Sequence, residues 1–244
     1  MALSKSEADR ARSIHVFSNV SEACLPSLLK LASMRYFPAR TVLFNEGDRA
    51  TALYTLIHGS VELFSEPNCR RSTIAIIRSA KPFVLTSLAD EINPMAARTL
   101  ERSELLLVPL KAIHELIDMD PSFARAIMYE LAGELRELIK HFKNQRLRTT
   151  VERLAEWVLR SDQDAGGTGH FVIPYGKRIL ASHLGMAPEN LSRNLASLAP
   201  LGVAVRGRHV SLNDRAALAQ FARLEAYPAC MRSQETNPVN DRRI

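Results

Sequence analysis

The most constraining feature of this chain is a long helix signal that opens at Asp120-Pro121. Aspartate as N-cap and proline as first helical residue are both favoured there. Beyond them Ala124, Met128, Leu131, Leu135, Leu138 and Phe142 alternate spacings of four and three, the 3.5-residue seam of a two-helix coiled coil. A helix lying on its own core can carry a similar stripe. Here the flanks Arg125, Glu130, Glu134, Arg136, Glu137 and Lys140 are charged and Gly and Pro are scarce, which favours a dimer seam.

The pattern differs on the two sides of this helix. Residues 6–33 read as two short helices, the second opened by Ser21 and carrying Leu25, Leu28, Leu29 and Leu31. From Tyr36 to Leu110 short β-type runs follow, at 41–44, 52–57, 60–64, 73–77 and 104–108, separated by Glu46-Gly47-Asp48, His58-Gly59 and Pro67-Asn68. Strands this short and this closely spaced predict a sandwich or jelly roll. After Leu147 an amphipathic helix runs to about Leu159 with Leu154 and Trp157 inward, and 162–169 is a polar, Gly-containing loop. The expected architecture is α+β. It comprises N-terminal helices and a β-roll over 1–118, a long helix over 119–146, a winged helix-turn-helix over 147–226 and a disordered tail over 227–244.

The helix-turn-helix expectation rests on a strand at 171–174, helices at 177–184 and 188–199 separated by Gly185-Met186-Ala187, and two strands, 203–205 and 209–212, joined through Arg206-Gly207-Arg208. A last helix begins at Asp214. In this arrangement the second helix enters the major groove by its N-terminal residues. Leu191, Leu195 and Leu198 fall on one face, to pack with Leu180 and Leu184, and Glu189, Ser192 and Arg193 fall on the other. Arginine can donate twice to guanine, glutamate can accept from cytosine, and serine can meet a base edge or a thymine methyl. A solvated Glu–Arg pair on a helix would need no DNA. The turn, the wing and the charge favour base reading. The formal net charge of +6 is confined to residues 142–224, with 12 Lys/Arg against 6 Asp/Glu, whereas 1–141 carry 17 of each. Local basic excess is what phosphate neutralisation requires. Lys177, Arg178, His183, Arg206 and Arg208 are the expected phosphate contacts.

With these residues in place, the chain resembles the Crp/Fnr superfamily over about residues 15–225, most specifically through Leu180-Ala181-Ser182-His183-Leu184-Gly185-Met186-Ala187-Pro188-Glu189-Asn190-Leu191-Ser192-Arg193. The resemblance implies a homodimeric transcription regulator that binds double-stranded DNA and contacts RNA polymerase. Glu, two residues, Ser, Arg is similar to the Fnr-type signature and implies a TTGAT-like inverted repeat. Pro188 stands where the Crp branch has an additional arginine. Ile173-Pro174-Tyr175 together with 188–193 looks most like the nitrogen-oxide-responsive branch, implying a response to nitric oxide, oxygen or redox state. Cyclic-nucleotide-binding relatives use a Gly-Glu pair and an arginine in the roll; Val84, Leu85 and Met95 stand at the matching positions, with Arg98 close by. Loss of the arginine's charge-assisted phosphate bond argues against cyclic AMP.

Cysteines and histidines narrow the remaining choices. Three scattered cysteines, Cys24, Cys69 and Cys230, cannot supply the four ligands of the superfamily's iron–sulfur sensors, and they form neither a zinc pair nor a disulfide framework. Haem remains a candidate cofactor by resemblance, with His15, His58 and His114 as conceivable axial ligands, although a lone histidine is more often a surface or hydrogen-bonded residue. Cys24 and Cys69 are candidate redox switches. No effector-binding residue is assigned, and two alternatives stay open: a cyclic-nucleotide-responsive regulator with Arg98 as the shifted cation, and a constitutive DNA-binding dimer whose roll is only a scaffold. His58 alone in the β region is too little for a cupin-like metalloenzyme, so no enzymatic activity is expected. Without an apolar run of about 20 residues or a signal-like N-terminus, no membrane association is expected and a cytoplasmic location follows.

Overall fold

The computed structural model describes residues 3–78 and 80–222, so the expected tail from 227 lies outside the described residues. The chain divides into two compact units, 1–143 and 144–244. The first opens with α1 (Lys5–Arg12), α2 (His15–Ser18) and α3 (Leu25–Leu31), three helices where two were expected. Ser4 and Glu7 form a reciprocal capping box that starts α1. Ser21 does not open a helix. Its backbone N–H donates to Asp120, and α3 begins at Leu25 with Pro26 in its first turn, where a missing N–H costs nothing.

The strands are β1 (Ser33–Phe37), β2 (Val42–Phe44), β3 (Ala52–His58), β4 (Val61–Ser65), β5 (Ser72–Ile77), β6 (Lys81–Phe83), β7 (Ala96–Thr99) and β8 (Ser103–Pro109). They form two antiparallel four-stranded sheets, β1-β8-β3-β6 and β2-β7-β4-β5. β1, β6 and β7 were not anticipated. β6 contains Pro82, which breaks the strand signal and is tolerated because β6 is an edge strand. Between the sheets lies one apolar core, containing Phe44, Leu56, Leu63, Phe83, Val84 and Leu105. A second core covers the other face of the first sheet, where Leu53, Leu106 and Val108 meet α1–α3 and later helices.

A short helix, α4 (Ser87–Asp90), lies between β6 and β7, and β8 runs directly into α5 (Leu110–Met119), a helix missing from the sequence reading. Its apolar residues continue the run of β8 and its N-terminus has no side-chain cap, so the change from period two to 3.6 is masked. Asp120 closes α5 and starts α6 (Pro121–Leu147). Its carboxylate accepts from the Ser122 hydroxyl and N–H and the Phe123 and Ser21 N–H groups, which hold its pKa far below the usual carboxylate range. In the first turns of α6, Phe123, Ala126 and Ile127 enter the second core, with Phe123 stacked 6.3 Å from Phe17.

The second unit contains α7 (Thr150–Asp164), β9 (His170–Val172), α8 (Lys177–His183), α9 (Pro188–Ser197), β10 (Val203–Arg206), β11 (His209–Leu212) and α10 (Arg215–Phe221). Thr149 and Glu152 cap α7 reciprocally. This helix continues to Asp164, beyond the expected loop start at 162. The reason is Asp162, which is buried, paired with Arg215, and accepts the Gly169 N–H. The wing is three-stranded, in the order β10-β11-β9, so the expected two-strand wing gains β9 as its inner edge.

Candidate nucleic-acid interface

α8 ends in a left-handed glycine. Gly185 has φ +65°, its N–H donates to Ser182, and the Met186 N–H reaches back to Ala181. This pair of bonds is a Schellman closure, which favours glycine at that position. Three residues later Pro188 starts α9 without a side-chain cap. Leu180 and Leu184 of α8 and Leu191, Leu195 and Leu198 of the second helix region are buried as the sequence predicted. Burying one such leucine is worth about 1.5–3 kcal/mol, so the apolar stripe fixes which face of α9 turns outward.

That outward face carries Glu189, Ser192 and Arg193, all exposed. Arg193 Nη2 donates to Asn190 Oδ1 at 2.6 Å. Asn190 therefore orients the guanidinium along the first turn, a role that sequence periodicity did not reveal. Lys177 and Arg178 are exposed in the first turn of α8 and Arg206 is exposed at the end of β10. Gly207, with φ +63°, makes the tight hairpin between β10 and β11. Arg208 is exposed, but its Nε donates to the Ile173 carbonyl at 2.6 Å, which anchors it to the end of β9. His183 is half-buried. The structure thus leaves Glu189, Ser192, Lys177, Arg178 and Arg206 exposed, holds the exposed Arg193 through Asn190, and draws Arg208 and His183 partly into the framework.

The residue that holds the turn was missed. Arg153, on α7, donates from Nε to the Leu184 carbonyl at 3.0 Å and from Nη1 to the Arg148 carbonyl at 2.8 Å. Longer bonds reach Gly185 and Gln145. Burial lowers its pKa, but an arginine stays charged. Asn194 of α9 donates to Thr150 of α7, adding a second tie. Neither could be found from local spacing, because their partners lie far along the chain.

The roll positions matched to nucleotide contacts carry apolar side chains. Val84 has φ +59°, the left-handed region that a β-branched residue adopts only under constraint. The Ser87 N–H and hydroxyl both donate to its carbonyl and supply that constraint. The backbone at this position is glycine-like, but the valine side chain fills the roll core, as Met95 does in part, and Leu85 fills the second core. Arg98 lies opposite Glu62 across β7 and β4 and donates to its fully buried carboxylate. Strand alternation places both on the face away from the roll core, whose neighbours are Ala97, Val61 and Leu63. Arg98 is thereby withdrawn from the interior.

The three histidines do not converge. His15 bonds Glu130 at the surface, His114 Nε2 is 2.9 Å from the Leu88 carbonyl and donates to it, and His58 is exposed at the end of β3. None of the three is assigned as an axial ligand, since two are tied to other groups and His58 stands at the surface. Cys24 is half-buried with a free thiol. Among the described residues no group of three or more His, Cys, Asp or Glu could hold a metal ion, and no helix is long and apolar enough to cross a membrane.

Comparison with known proteins agrees with this geometry. The cyclic nucleotide-binding domain family matches residues 34–120, and the Crp-like helix-turn-helix domain family matches 152–221. Together they mark a DNA-binding transcription regulator of the Crp/Fnr type. Similar relatives include the transcriptional activator protein FnrA of Stutzerimonas stutzeri, 22% identical over 84% of this chain and 90% of that protein. The fumarate and nitrate reduction regulatory protein of Escherichia coli is 23% identical over 74% of each. Among solved structures, FixK2 from Bradyrhizobium japonicum matches with a TM-score of 0.69 and 23% identity over 78% of this chain and 96% of that one, which supports the fold.

Proposed function

We propose that this chain acts as a homodimer in the cytoplasm, reads a TTGAT-like inverted repeat with α9, and regulates transcription by contact with RNA polymerase. The observation that carries the reading is the sorting of α9: leucines buried, Glu189, Ser192 and Arg193 together on the exposed face. Arg193 pairs with guanine, Glu189 with the amino group of cytosine, and Ser192 with a neighbouring edge. Lys177, Arg178 and Arg206 neutralise phosphates, with Arg208 and His183 as closer framework contacts.

The dimer is supported by α6. Met128, Leu131, Leu135, Leu138 and Phe142 are all exposed along one stripe, Phe142 at 58%, and Ala124 is half-buried at its start. So much apolar surface on one helix face fits a second copy of the same helix. The effector is not cyclic AMP on this reading, because Val84, Leu85 and Met95 occupy the matching positions and Arg98 is paired with Glu62. Nitric oxide, oxygen or redox state is the proposed signal, supported by the likeness of 173–175 and 188–193 to that branch. The test is a competition between an inverted TTGAT repeat and a scrambled duplex at one salt concentration, with and without cyclic AMP. The expected preference is about a thousandfold or more, unchanged by the nucleotide. Equal affinity for both duplexes, or a preference that emerges only with cyclic AMP, contradicts the proposal.

A further inference from the structure

The roll core is filled with side chains, but an open cavity of about 460 Å³ lies at its edge, on the same face of the first sheet. Its floor follows from the register. Ser33 stands opposite Leu107, and Leu107 opposite Tyr54, so one row crosses β1, β8 and β3; Ala52 opposite Pro109 makes the next row. Leu31 and Ala32 from the end of α3 add an apolar edge. Lys30 and Arg35 stand at the cavity as well, with the hydroxyls of Ser33, Thr51 and Tyr54. Neither cation has a salt-bridge partner among the described residues.

The chemistry of this lining is specific in kind. Two cations without carboxylates leave a local positive potential, which a carboxylate or phosphate would neutralise. The hydroxyls of Ser33, Thr51 and Tyr54 make most of the remaining lining polar and can donate to an anion's oxygens, while Leu107, Ala52 and Pro109 leave a small apolar floor for a compact body. Tyr54 belongs to both halves. Burial raises its pKa and the Arg35 charge opposes that rise, which places the guanidinium within electrostatic reach of the phenol. On its other side the Tyr54 ring packs 5.1 Å from Phe44 and 6.1 Å from Phe83. Phe83 directly precedes Val84 and the short helix α4 (Ser87–Asp90). One layer of aromatic rings therefore separates the cavity from the strained segment of the roll.

We infer that this cavity binds a small organic anion, its charged group held by Arg35 and Lys30 and its apolar body laid on Leu107 and Tyr54. The test uses the full chain and two probes, benzoate and phenyl phosphate, titrated calorimetrically at constant ionic strength. At least one probe is expected to bind saturably, and the pair distinguishes a carboxylate from a phosphate ligand. Arg35→Ala and Lys30→Ala should each weaken that binding, Arg35→Ala by about tenfold. Arg71→Ala, which removes a cation held by Glu66 on the other sheet, should leave it unchanged. Unaltered melting temperatures of the variants exclude misfolding as the cause. No saturable binding of either probe up to about 10 mM, or equal binding by wild type and Arg35→Ala, overturns the inference. No DNA enters the measurement, so its failure and that of the base-reading proposal are separate results.

Discussion

On α9, Leu191 and Leu195 are buried and Glu189, Ser192 and Arg193 face solvent; in the roll, Val84 and Leu85 are buried at positions where nucleotide-binding relatives carry a glycine and a polar group. Both segments hold a residue in the left-handed region, Gly185 at φ +65° in one and Val84 at φ +59° in the other. They differ in what the side chains do. The first leaves its hydrogen-bonding groups at the surface, with Arg193 oriented by Asn190, and the second fills its space with hydrocarbon. A left-handed valine costs about 1–2 kcal/mol, so the backbone of the roll segment is held by its surroundings rather than by its own preference.

The contrast can be broken most severely at the helix that separates the two regions in sequence. Leu131→Glu with Leu138→Glu places four carboxylates in a paired seam. Sedimentation should show the mass halved, and affinity for an inverted repeat should fall on the order of a hundredfold or more as two-site binding is lost. An unchanged mass rules out the seam. A smaller effect is expected from Arg153→Ala, which frees the carbonyls of Leu184 and Arg148. Bonds from a charged donor are worth about 1.5–3 kcal/mol, so specific DNA affinity should drop roughly tenfold to a hundredfold while the roll's probe binding is untouched. Arg153→Lys, which cannot reach several carbonyls at once, should recover only part of the loss.

The smallest change is expected at Asp120. Its carboxylate caps α6 and ties Ser21, so Asp120→Ala should cost about 1 kcal/mol and lower the melting temperature by about 2–4 °C. Its pKa is depressed in the folded state. The contribution is therefore complete above the unfolded value of about 4 and disappears as pH falls through the lower folded value. Melting of wild type and Asp120→Ala should converge in that acidic window and differ at neutral pH.

How far these features could be read from sequence depended on whether their partners were local. The α6 stripe, the Gly185 turn and the face of α9 are set by residues three to seven positions apart, and all three are present where the spacing put them. α5 was missed because Leu110, Ile113 and Leu116 extend the apolar run of β8. β6 and β7 were missed because each is short and one holds Pro82. Arg153 acts on carbonyls more than thirty positions away, at Leu184 and Gly185, and Arg98 is withdrawn by Glu62 across a sheet. No local pattern records such pairings. Arg98 illustrates why a cation near a motif in sequence is poor evidence for a cation in the site.

The central claim, that α9 reads bases while its neighbours hold phosphates, is tested most directly by comparing Arg193→Ala with Lys177→Ala over a series of salt concentrations. Binding of each variant to the TTGAT repeat and to a scrambled duplex would be measured beside wild type. Arg193→Ala is predicted to lose about 1–3 kcal/mol of discrimination per half-site. Lys177→Ala is predicted to weaken both duplexes alike and to reduce the salt slope by about one per protomer. Discrimination by Arg193→Ala equal to that of wild type would contradict the account.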